Sequence, residues 1–163
     1  MSSPTSTSTS ALTYTPNLTL TAAQHALLAC QRKASAINVP MNIAIVDSSL
    51  YLLAFARMPG AKLTSVMTAQ DKAFTAAGHK VGTHTYKDNV WPGGFAYGIH
   101  NSNGGRFMII GGGLPIVVDG MVVGGIGCST GTPGQDQEVA QAGVDAVMEL
   151  LGKSGEGKLK AKL

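Results

Sequence analysis

The chain has 163 residues, of which 44% are hydrophobic and 13% charged, with a net charge of +3. That length gives one domain with a real core. Four of the basic residues (Lys153, Lys158, Lys160, Lys162) crowd into the last segment, so the rest is close to neutral and lacks the basic footprint of a nucleic-acid binder. So low a charge content leaves a rather uncharged surface, which often means that surface is buried between subunits.

Residues 1–16 are mostly Ser and Thr. They lack the apolar core of a secretory signal and read as a disordered tail. No later run is long enough to span a membrane. A folded domain is expected over 17–152, followed by a flexible basic tail over 153–163. From Thr19 the apolar residues Leu20, Ala23, Leu27, Cys30, Ala34 and Ile37 recur at three- and four-residue steps, which predicts a helix ending at Asn38 before Pro40. His25 falls opposite that stripe. It is either solvent-facing or a ligand pointing into a subunit interface.

Residues 41–47 and 51–57 read as an antiparallel hairpin, and Pro59-Gly60 as a loop. A second helix is expected over 64–81, buried through Val66, Gln70, Ala73, Phe74 and Ala77. Lys72 is expected to point away from that side, either solvated or holding an anion together with Arg57. Residues 79–103 have no clear period. They hold His79, His84, His100, Trp91 and Phe95 and suit either a pocket wall or a plain loop. The histidine spacing completes no zinc signature.

Residues 106–131 read as the sheet core: a strand over 107–110, a glycine break at 111–113, a strand over 114–118, the turn Asp119-Gly120 and a return strand over 121–128. Gly124, Gly125 and Gly127 in one strand imply that a backbone, a helix or a ligand packs close. Cys30 and Cys128 read as small core residues. Thr132-Pro133 opens a last helix, with Asp136 a helix-start carboxylate. The final Ala161-Lys162-Leu163 resembles a peroxisomal address, which implies a peroxisomal import receptor as partner and otherwise a cytoplasmic protein. The order of elements predicts an α+β domain, a five-stranded antiparallel sheet with flanking helices. Nucleotide-loop, nucleophile-elbow and zincin motifs are absent.

The pieces Ile45-Val46-Asp47, Leu52 to Met58, Asp71 to Ala76, Gly112 to Ile116, Asp119-Gly120, Val123 to Gly127, Ser129, Thr132-Pro133 and Asp136 resemble the GlcG/HbpS-like family over about residues 18–151. The resemblance implies a profilin-like fold, assembly as homo-oligomers from dimers to octamers, and haem or a related tetrapyrrole as a possible cofactor. It points to His25, and next to His100, as iron ligand. Arg57 or Lys72 would then pair with propionates, and Trp91, Phe95 and Met108 would line the macrocycle, with weak haem degradation as a further activity. A different reading is a cofactor-independent enzyme for a small carboxylated or carbonyl metabolite. There Arg57 or Lys72 would hold the anion and His100 or Asp47 would move a proton. A non-catalytic oligomeric scaffold is the third.

Overall fold

The structure, a computed structural model, describes residues 11–152. Residues 1–10 lie outside the described residues, as does the basic tail with Ala161-Lys162-Leu163. The first helix, α1 (Leu20–Ala36), starts where the Thr19 hydroxyl accepts from the Ala22 N–H at 3.2 Å. Its buried stripe is made of small side chains, Ala23, Ala26, Cys30 and Ala34. Small residues let a neighbouring helix come close. At Gly143 on the last helix, α3 (Pro133–Leu150), an added Cβ would stand 2.5 Å from Cys30 Sγ.

The sheet contains β1 (Asn42–Asp47), β2 (Leu52–Arg57), β3 (Gly113–Val118) and β4 (Met121–Ser129), all antiparallel, in the order β2-β1-β4-β3. Asp119 and Gly120 both take positive φ, as a two-residue hairpin turn demands. Pro115 sits on β3, an edge strand, where its missing donor leaves no inner ladder bond unmade. Side chains alternate across the sheet. Ile43, Ile45, Ile126 and Cys128 join α1 and α3 in the larger core, while Ala44 and Val46 face Ala69, Ala73 and Ala77 of α2 (Ser65–His79). The result is three layers: α2, the sheet, and the α1–α3 pair.

The glycines of β4 explain how close α2 lies. A Cβ at Gly125 would stand 2.6 Å from the Ala73 carbonyl oxygen, and one at Gly127 would overlap the Ala69 carbonyl oxygen. The close partner implied by the sequence is therefore a helix.

One expectation is corrected. The sheet has four strands, because residues 107–110 are irregular. Side chains have taken the backbone groups a ladder would need. The Met108 N–H donates to Thr75 Oγ1 at 2.8 Å, and the Ile110 carbonyl accepts from Thr83 Oγ1 at 2.7 Å. Phe107 meanwhile turns inward against His79 and Tyr86, each ring edge-on to its neighbours with centroids 5.2–5.5 Å apart.

Candidate functional site

The largely apolar cavity where the irregular segment meets the start of α3 has a volume of about 570 Å³. Three stretches form it. His84, Lys87, Val90 and Trp91 come from the segment after α2, Ile109 to Gly111 from the approach to β3, and Pro133, Gly134 and Gln137 from the first turns of α3. Each stretch is irregular or at an element's end, so its position depends on specific fastenings.

The first fastening is Thr83, fully buried at the start of the 3-10 turn Thr83–Tyr86. Its hydroxyl donates to the Ile110 carbonyl and accepts from the Gly113 N–H at 2.9 Å. One side chain thus ties the His84 stretch to the strand approach. His84 is held in a slot of glycines: a Cβ at Gly82 would stand 2.5 Å from its ring, and one at Gly111 would stand 3.3 Å from its Cβ. Either substitution would displace the imidazole.

The second fastening is a buried ion pair. Lys72 Nζ donates to Asp136 Oδ2 at 2.8 Å and to the Cys128 carbonyl at 2.9 Å, with the two side chains 1% and 3% exposed. Asp136 Oδ1 accepts from the Gly131 N–H at 2.9 Å. The start of α3 is closed by a capping box in which Thr132 and Gln135 satisfy each other's backbone N–H. A third fastening holds the far end of the segment, where Arg106 pairs with Asp71 at 2.9 Å and lies 3.9 Å over the Phe74 ring.

Among the described residues, two groups have clearly shifted proton affinities. Burial pushes the Tyr86 phenol up to about 12, and its hydroxyl has no hydrogen-bond partner. Burial, with a further contribution from the Cys30 thiol, pushes the Cys128 thiol well above its ordinary value. Cys128 is thus an inert core thiol. Among the described residues no three of His, Cys, Asp and Glu cluster as a metal site.

The residues singled out from the sequence are scattered. Trp91 lines the cavity. Phe95 is 88% exposed on the same segment, and Met108 is half-buried beside α2. His25 is exposed on α1, and His100 is exposed in the short turn Ile99–Asn101. Asp47 and Arg57 sit at opposite ends of the β1–β2 hairpin, separated by roughly 16 Å of strand. Asp47 Oδ1 accepts from the Ser49 and Tyr51 N–H groups and so shapes the hairpin turn.

Lys72 is a correction. It is expected to point away from the buried side of its helix, yet it is buried, because Asp136 and the Cys128 carbonyl give its ammonium two close acceptors in the interior. The residue that sequence reasoning passed over is His84. It was one of three histidines in a stretch without periodicity, and only Gly82, two residues before it, marked where a ring folds back.

The fold and these motifs have a family. The model of the haem degrading protein HbpS-like family matches residues 18–145. The chain belongs to the HbpS-like family. An uncharacterized 15.0 kDa protein from the dhaT–dhaS intergenic region of Citrobacter freundii is 40% identical over 133 residues, covering 82% of this chain and 94% of that protein. The crystal structure of Klebsiella pneumoniae ORFY superposes on this HbpS-like chain with a TM-score of 0.82 at 36% identity, over 84% of this chain and 94% of that one. The PduOC:heme complex superposes with a TM-score of 0.76 at 34% identity, over 80% of this chain and 94% of that one. The last of these contains haem, a property of that protein.

Proposed function

We propose that this HbpS-like protein binds haem, or a related flat tetrapyrrole, in the cleft beside the start of α3. One observation carries the reading. His84 stands on the wall of a largely apolar cavity, in a chain similar to one crystallised as a haem complex. A volume of about 570 Å³ lies within the range of small-ligand sites. Bound haem would supply an iron centre that an imidazole can ligate. The residues fit such a group. His84 offers the imidazole; Val90, Trp91, Ile109 and Ile110 offer apolar contact; Lys87 offers a charge to a propionate.

An enzyme that uses His100, Asp47 and Arg57 on a small acid has less support. The carboxylate and the guanidinium lie at opposite ends of a hairpin, and none of the three lines this cleft.

Haemin titration followed by absorbance tests the proposal. The expected result is a saturable Soret change at one haem per chain, with affinity lowered by at least about tenfold in His84→Ala. Weak, unsaturable binding that ignores the substitution would overturn it. Adding a reductant to the loaded protein and following loss of the Soret band then tests for degradation.

A further inference from the structure

We infer that Lys72 and Asp136 are positioning residues of the cleft, a buried ion pair that sets where the start of α3 stands relative to the His84 wall. Only the ligand part of this inference rests on the haem reading; the geometry is independent of it.

The pair joins three elements: Lys72 from α2, the Cys128 carbonyl from β4, and Asp136 from the first turns of α3. The cleft residues lie next to it along the chain. Pro133, Gly134 and Gln137 flank Asp136, and Gly111 adjoins Gly112. Residues 131–134 belong to neither apolar cluster, so hydrophobic burial does not place this lip. Polar bonds do, namely the capping box and the Gly131 N–H to Asp136. The pair also has a single seat. A Cβ at Gly112, where φ is +117°, would stand 2.6 Å from Asp136 Cβ and 2.9 Å from Lys72 Nζ.

The energetics favour a geometric role. Two charges taken out of water gain little net stability, and well-packed apolar residues in their place are often as stable or more so. What the pair supplies is direction: two charge-assisted bonds on Lys72 and a third on Asp136 allow one orientation of the lip. Neither side chain lines the cavity, so both act through the backbone they hold.

The double variant Lys72→Met/Asp136→Leu tests this. Trp91 is the only tryptophan of the chain and lines the cleft, so its fluorescence reports the site without any ligand. The variant is expected to keep its far-UV circular dichroism and unfolding midpoint, while Trp91 emission and acrylamide quenching change. Haemin affinity should fall by at least about tenfold, with a displaced Soret maximum. Unchanged quenching together with unchanged affinity would overturn the inference. If the wild type binds no haemin saturably, the haem reading fails and Trp91 alone decides this one. Asp136→Asn keeps an acceptor for Gly131 and serves where the double variant does not fold; a folded protein with a Trp91 change in the same direction is expected. Should both variants fail to fold, the pair is a condition of the fold and the inference is overturned.

Discussion

The contact between β4 and α2 and the segment that walls the cleft are both rich in glycine, for opposite reasons. In β4, Gly125 and Gly127 have ordinary strand backbone and no space, because the backbone of α2 occupies the place of a side chain. In the cleft segment, Gly93, Gly104 and Gly105 have open space around them and positive φ. The first region is fixed by what its residues lack. The second is fixed by a few polar side chains: Thr83 within it bonds the Ile110 carbonyl and the Gly113 N–H, and from α2 Thr75 accepts the Met108 N–H while Asp71 holds Arg106. The same residue type therefore marks a contact with no room for a methyl and, elsewhere in the molecule, open turns with positive φ.

Substitutions can separate the two cases. Gly127→Ala forces a methyl onto the Ala69 carbonyl of a helix that cannot retreat without opening the sheet. It should cost about 3 kcal/mol or more, at the upper end for overpacking, as read by urea denaturation. Thr83→Val keeps the shape but strips the Ile110 carbonyl and the Gly113 N–H of their partner. It should cost about 2 kcal/mol and shift Trp91 emission. Gly104→Ala meets no atom and strains only the backbone, so about 1 kcal/mol is expected. A cost at Gly104 equal to that at Gly127 would erase the contrast.

The smallest effect belongs to Tyr86. Its phenol ionises near 10 in the unfolded chain and near 12 in the folded one. The unfolded state therefore loses its proton first, and stability present below pH 10 declines as pH rises toward 12. Tyr86→Phe removes a buried hydroxyl that has no partner. It should be neutral or slightly stabilising and should flatten that alkaline decline, measured as unfolding midpoints between pH 8 and 11.

The sequence carried the positions of the helices and of four strands well because each rests on a local signal, but not the buried face of α2, where Val66, Gln70 and Phe74 are only half-buried while Ala69, Lys72 and Ala76 are buried. Asp119-Gly120 needs two positive φ values, Thr132-Pro133 is a helix start, and the β4 glycines announce a close neighbour. The strand expected over 107–110 failed because its apolar run serves a ring cluster with His79 and Tyr86, and its backbone bonds go to side chains more than 20 residues away. Nothing local encodes that. Lys72 was misplaced for a related reason. Its burial depends on Asp136, 64 residues later, and a lone lysine on a helix reads as solvated. His84 became distinct from His25 and His100 only when the chain returned Ile109, Ile110 and Pro133 to its side.

The most direct test of the account is a haemin titration that compares His84→Ala with His25→Ala and His100→Ala. The account predicts that His84→Ala alone loses tight, one-to-one binding and the wild-type Soret position. Loss of binding in His25→Ala with His84→Ala unaffected would move the ligand to the exposed face of α1 and contradict the cleft as the haem site.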